Sequence, residues 1–245
     1  MDLGIHGKVA LVTAASRGLG RASAQALAAD GANVVVCARD EASLRDAEQA
    51  LVAQGADVLA IVADVVDPAT PDRLVTATME RFGRIDIVVA NAGGPPPGAA
   101  LDLDDDAIRA AVEASLLSPV RLVRAALPHM RAEGWGRLCC IASYSVVQPL
   151  PVLALSNTAR SGLRAWAKTA AHDLGAEDGD ITLNLVCPGP HATDRMRQLT
   201  GGVTPDRAMG DPADFGNVVA FICSSHAAFV NGATIVVDGG ATLAL

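Results

Sequence analysis

Residues 8–20 read Lys-Val-Ala-Leu-Val-Thr-Ala-Ala-Ser-Arg-Gly-Leu-Gly, and the fold turns on this stretch. The apolar run over residues 8–13 has the length and composition of a strand buried on both faces. It passes without a break into a glycine-rich turn, and an Ala/Leu-rich stretch then continues to Gly31, a fitting helix stop because glycine tolerates positive φ. A strand that turns directly into a helix leaves the helix's first N–H groups unpartnered and adds the positive end of its dipole, which together form a cradle for a pyrophosphate. Gly18-x-Gly20 alone arises often by chance, so its weight comes from the rest of the chain.

The same alternation runs from end to end. Short Val/Ile/Leu-rich segments fall at 8–13, 33–38, 57–62, 86–90, 137–142, 181–186 and 233–237, with amphipathic Ala-rich stretches between them. This pattern predicts an α/β fold: one doubly wound (Rossmann-type) parallel seven-stranded sheet with helices on both faces, in a single domain over 1–245. Thr70-Pro71 opens the third helix, and long helices are expected over 104–133 and 151–175, with Pro119 and Pro128 bending or ending turns of the earlier one. Residues 93–98, Gly-Gly-Pro-Pro-Pro-Gly, read as a loop after the fourth strand. Residues 194–210 read as a short lid with Gly201-Gly202 as its hinge, in which Arg195 and Arg197 are either partners for an acidic substrate or solvated charges.

The 245 residues are 51% hydrophobic and 19% charged, enough for a well-buried core. A net charge of −8 without any basic run argues against a nucleic acid or an anionic membrane surface as partner. No segment has the length and apolarity to cross a bilayer, and the opening Met-Asp-Leu-Gly-Ile-His carries no leader pattern, so the expectation is a cytoplasmic protein acting on a small molecule. Cys37, Cys139, Cys140, Cys187 and Cys223 lack ligand spacing and read as buried thiols, with no metal site.

In doubly wound sheets, ligands sit outside the carboxyl ends of the strands. The residues falling there are Asp64 and Val65 after the third strand, Asn91, Ala92 and Gly93 after the fourth, Ser143 after the fifth, and Pro188, Gly189 and Thr193 after the sixth. Together with Phe82-Gly83-Arg84-Ile85-Asp86, Leu127-Pro128-His129-Met130 and Val237-Asp238-Gly239-Gly240, this set resembles the short-chain dehydrogenase/reductase family along essentially the whole chain. It is most similar to the 3-oxoacyl-carrier-protein reductase type. The resemblance implies a nicotinamide cofactor held by Thr13, Ala14, Ser16, Arg17, Gly18, Leu19 and Gly20 and by those strand-end residues. The family's loop pattern is Thr-Gly-x-x-x-Gly-x-Gly. Here Ala14 replaces the first glycine, a change that an α- or β-region backbone accepts and a positive φ does not. Relatives specific for NAD(H) place a carboxylate after the second strand; this chain has Ala38-Arg39 there and Arg17 in the loop, which favours NADP(H) over NAD(H), although Asp40 follows.

The resemblance also implies a catalytic serine, tyrosine, lysine and asparagine. Taking Ser143 as that serine puts Ser156 at the tyrosine position, Arg160 at the lysine position and Ser115 at the asparagine position. A serine hydroxyl lacks a phenol ring and reaches less far, while an arginine keeps a positive field without releasing its proton. Tyr144, the one tyrosine of the chain, and His191 are the remaining candidate acids; Tyr144 is otherwise pocket wall and His191 a packed loop residue. Strand alternation would turn Tyr144 away from the face used by Ser143 unless the strand has already ended. Three readings follow. The first is an NADP(H)-dependent oxidoreductase with a non-standard active site; the others are a non-redox lyase, isomerase or cyclase, and a catalytically silent cofactor-binding subunit. The resemblance further implies a homodimer or homotetramer.

Overall fold

The computed structural model describes residues 1–201 and 209–244. Their seven strands are β1 (Val9–Val12), β2 (Asn33–Ala38), β3 (Val58–Val62), β4 (Ile87–Ala90), β5 (Trp135–Ile141), β6 (Asp180–Pro188) and β7 (Thr234–Val237). They form one parallel sheet in the order β3-β2-β1-β4-β5-β6-β7, as the alternating pattern predicts. The helices are α1 (Gly18–Ala29), α2 (Glu41–Ala53), α3 (Thr70–Phe82), α4 (Asp105–Val112), α5 (Ser118–Glu133), α6 (Ala154–Gly175), α7 (Asp194–Leu199) and α8 (Pro212–Ile222).

Side chains alternate across the sheet and build two apolar layers. Val9, Leu11, Val35, Val88, Leu138 and Leu183 face a layer that includes Leu74 of α3, Leu122 and Met130 of α5 and Leu163 of α6. Ala10, Val12, Val34, Val36, Ile87 and Val186 face the opposite layer, with Leu27 of α1, Leu44 and Leu51 of α2 and Phe215 and Val219 of α8. The strand order turns back on itself between β1 and β4, so a crevice opens at their carboxyl ends.

One expected helix is three pieces. The segment 104–133 contains α4, a wide turn over Glu113–Leu117 and α5. Pro119 has no N–H for the Ser115 carbonyl four residues back, and its ring crowds that carbonyl. The ladder widens instead, and the Ser118 N–H reaches the Glu113 carbonyl five residues back. α6 also starts later than expected, at Ala154, after a turn in which Val152 takes φ 56°. Of the expected lid, residues 202–208 lie outside the described residues, and the part before them is α7.

Val152 is 60% exposed, so its left-handed backbone gains no packing in return for the clash of a β-branched side chain. Val152→Gly is expected to raise Tm by about 2–4 °C, the equivalent of roughly 1 kcal/mol of relieved strain in a chain of this size. Thermal melts of the two proteins check this.

Candidate active site

The crevice is pinned by a reciprocal pair of hydrogen bonds. Thr13 Oγ1 donates to the Asn91 carbonyl at 2.7 Å and accepts from the Asn91 N–H at 2.8 Å, tying the end of β1 to the end of β4. Asn91 Nδ2 then donates to the Ala14 carbonyl at 3.3 Å, and the Ala15 N–H donates to Cys37 of β2 at 3.0 Å. Held on both sides, Ala14 takes φ 48°, the positive-φ conformation that an alanine was expected not to accept. The methyl group is small enough for this conformation, at a cost of about 1–2 kcal/mol. Gly20 packs so tightly under the turn that a Cβ there would lie 2.4 Å from the Ala14 carbonyl oxygen and 2.7 Å from Asn91 Nδ2.

The first turn of α1 has neither a capping side chain nor an acidic residue, so its N–H groups remain for an anion. Gly18 has only Thr193 within 4 Å of where a Cβ would be, and Gly93 has nothing there, which leaves open space along the crevice. Ser16 is buried, Leu19 and Val65 pack against the two apolar layers, and Ala92 and Gly93 follow Asn91 along the crevice. Pro188 and Gly189 end β6, with Gly189 pressed against Asp238. Thr193 caps α7 through its Oγ1, which accepts the Met196 N–H. Arg17 and Arg39 are exposed at the other end, where Arg39 lies 3.7 Å from Asp64. Asp40 is spent locally: its Oδ1 accepts the Ser43 N–H at 2.9 Å and caps α2. An uncapped helix, a close-packed glycine and an open edge fit a dinucleotide.

Farther along the crevice the expected catalytic positions collect around the ends of β5 and β6. β5 ends at Ile141, so alternation no longer governs Ser143 and Tyr144; Ser143 caps a short turn over Tyr144–Val146, and its Oγ accepts the Ser145 N–H at 3.2 Å. Ser156 is 5% exposed, and its Oγ accepts from Arg160 Nη1 at 3.0 Å, one helical turn later on α6. Burial pushes Arg160 down to about 10, with the charge of Arg195 adding to the effect. The Cys187 thiol links the two serine corners: burial raises it to about 12, while it receives the Ser143 backbone N–H and lies in the fields of Arg164 and Arg160. Ser115 sits in the wide turn before α5, buried, with its Oγ unpartnered.

The other two candidates stand apart. Tyr144 is half-buried, and burial followed by the Asp238 carboxylate raises its phenol above the usual value. His191 is 4% exposed, with Nδ1 3.1 Å from the Gly189 carbonyl and its ring edge-on to Phe215 at 5.4 Å. Its backbone pairs with Gly210. All five cysteines are free and buried, and among the described residues no cluster of His, Cys, Asp or Glu could hold a metal ion. No helix among the described residues is long and apolar enough to cross a membrane.

Because the atoms facing Gly20 include backbone, they cannot swing aside for a larger residue. Gly20→Ala is therefore expected to cost about 2–3 kcal/mol of stability, measurable as an earlier urea midpoint at unchanged slope.

A family model described as enoyl-(acyl carrier protein) reductase matches residues 13–242. The 3-oxoacyl-[acyl-carrier-protein] reductase FabG of Escherichia coli (strain K12) is 33% identical over 97% of this chain and 98% of its own. Dehydrogenase/reductase SDR family member 4 of Homo sapiens is 31% identical over 95% of this chain and 87% of its own. The structure of L-sorbose reductase from Gluconobacter frateurii, complexed with NADPH and L-sorbose, superposes with a TM-score of 0.92 at 31% identity, covering 100% of both chains. Sequence likeness along nearly the whole length and a fold that superposes over the full chain lead to one assignment: the chain belongs to the short-chain dehydrogenase/reductase family.

Proposed function

We propose that this protein is an NADP(H)-dependent oxidoreductase that interconverts a carbonyl and an alcohol, with Ser156 and Arg160 standing where the family has its tyrosine and lysine. The carrying observation is the hydrogen bond from Arg160 to Ser156. In that bond Ser156 accepts, so its own O–H is left to donate, and the donor behind it is a cation that strengthens this donation. Ser143 is in the same condition, because its Oγ accepts the Ser145 N–H. Two hydroxyls that each accept one hydrogen bond and keep the O–H to donate form a donor pair for a carbonyl oxygen, and the Arg160 charge favours the negative charge that develops there. The bound nicotinamide supplies or takes up the hydride. Ser156 passes the proton to the oxygen, and its hydroxyl is restored from solvent.

Tyr144 belongs to the pocket wall in this reading, since a phenolate would form beside the Asp238 carboxylate. His191 anchors the lid, because Nδ1 lies against the Gly189 carbonyl and the ring is packed against Phe215. Ser115 lines the same corner and holds a water with its unpartnered hydroxyl. NADP(H) is favoured over NAD(H) on two counts. Arg17 and Arg39 are exposed where a 2′-phosphate would lie, Arg39 in only a long 3.7 Å contact with Asp64, and Asp40, the carboxylate that would take a ribose hydroxyl, is committed to the cap of α2. The L-sorbose reductase that this chain resembles was solved with NADPH. Assembly as a homodimer or homotetramer fits the half-exposed edge strand β7 and the exposed Phe229 and Leu243.

Absorbance of NADPH followed against a panel of aldehydes and ketones tests the redox reading. Turnover is expected, with kcat/KM lowered about 100-fold in Ser143→Ala. Conversion of a substrate at unchanged oxidation state, without NADPH consumption, would favour a lyase or isomerase instead. For the cofactor, calorimetric titration of the Arg17→Ala/Arg39→Ala protein is expected to show NADPH affinity reduced about 10- to 100-fold and NADH affinity little changed.

A further inference from the structure

The described arginines divide cleanly. Those exposed to solvent need no partner, and those drawn inward, Arg21, Arg84, Arg121 and Arg137, each meet a carboxylate, on Asp46, Asp86, Glu113 and Asp180. Arg160 and Arg195 break the rule. Both are partly buried, and neither joins an ion pair among the described residues. In a chain with eight more acidic than basic residues, a supply of carboxylates is not what is missing.

They lie close enough for the Arg195 charge to act on Arg160. Arg195 stands in the first turn of α7 and reaches across the crevice mouth to donate to the Pro95 carbonyl, with its Nε 3.1 Å from where a Cβ on Gly94 would be. The loop it grips continues to Gly98, whose N–H donates to the Val152 carbonyl at 2.7 Å just before α6, the helix that carries Ser156 and Arg160. Each guanidinium spends one of its five N–H donors in these contacts, which leaves four on each side for a ligand. The unpartnered, buried Ser115 hydroxyl lies in the turn that packs on the same helix.

We infer that Arg160 and Arg195 form a two-guanidinium clamp for a carboxylate on the substrate, which makes the substrate a 2- or 3-oxo acid or the matching hydroxy acid. The proximity of the charge to the carbonyl follows from Arg160 itself. One of its nitrogens touches the hydroxyl assigned to the carbonyl oxygen, so an anion on its remaining nitrogens lies within one or two bonds of the carbonyl carbon. A planar carboxylate matches the guanidinium fork through two parallel hydrogen bonds. Like-charge repulsion between the two arginines is relieved when the anion binds, so the ligand completes a pocket that is otherwise electrostatically unfavourable. The inference rests on the redox reading above for the place of the carbonyl, and the test separates the two.

In the first arm, binding of oxamate, an unreactive 2-oxo acid analogue, is compared with binding of neutral oxamide to the protein saturated with NADPH. Oxamate is expected to bind at least 10-fold more tightly, to lose about 10- to 100-fold in Arg195→Gln, and to recover part of that in Arg195→Lys. In the second arm, pyruvate, methyl pyruvate and a phosphorylated ketone are compared as substrates; kcat/KM is expected to favour the acid over its ester by about 100-fold, a ratio that collapses toward one in Arg195→Gln through KM. Equal binding of oxamate and oxamide, equal turnover of acid and ester, or preference for the phosphorylated ketone would overturn the carboxylate clamp. Charge-selective oxamate binding with no carbonyl reduced would uphold the clamp and sink the redox reading. Turnover of esters without charge selectivity would do the reverse.

Discussion

The site depends on the double hydrogen bond between Thr13 and Asn91. It joins β1 to β4 at the point where the strand order reverses, and it does so at the carboxyl edge, just beyond the ladder bond from the Thr13 N–H to the Val89 carbonyl. Asn91 Nδ2 extends the clamp to the Ala14 carbonyl, and that carbonyl is the atom under which Gly20 must fit. The left-handed Ala14, the missing Cβ at residue 20 and the bare first turn of α1 are thus parts of one packing solution. Its energetic balance is local strain against an anion cradle that needs no further reorganisation when filled.

At the other end of the crevice the governing quantity is charge. An unpaired guanidinium drawn out of water costs the fold free energy, and Arg160 carries that cost with only a serine hydroxyl as partner. Such arrangements persist where a ligand completes them or where the field acts on a reacting atom, and in the proposed reading both uses converge on Ser156. The neighbouring thiols take no part. Burial holds Cys187 and Cys140 protonated, so the cation acts on hydroxyls rather than on a competing thiolate.

The seven strands and the parallel sheet were legible because buried strands read as continuous apolar runs, and sequence shows those directly. The break in 104–133 was half legible: Pro119 marked the place, but whether a proline bends, ends or widens a helix depends on what packs against it. Ala14 could not be read at all, since its positive φ comes from contacts with Asn91 and with Cys37 of β2, both distant in the chain. Ser143, Ser156 and Arg160 were set against the family's catalytic positions by the resemblance, which no single stretch of sequence dictates. Their hydrogen-bond directions, which decide the chemistry, needed the turn at Tyr144–Val146 and the start of α6 in place. Arg195 was legible only as a charge open to an acidic substrate or to solvent, because nothing in its local sequence tells that it faces residues 94–98.

A crystal structure of the ternary complex with oxidised cofactor and an unreactive carbonyl ligand tests the central claim most directly. The ligand oxygen is expected within hydrogen-bond distance of both Ser143 Oγ and Ser156 Oγ, with Arg160 still behind Ser156. A ligand oxygen held instead by the Tyr144 hydroxyl or by His191, with Ser156 more than one water away, would contradict it.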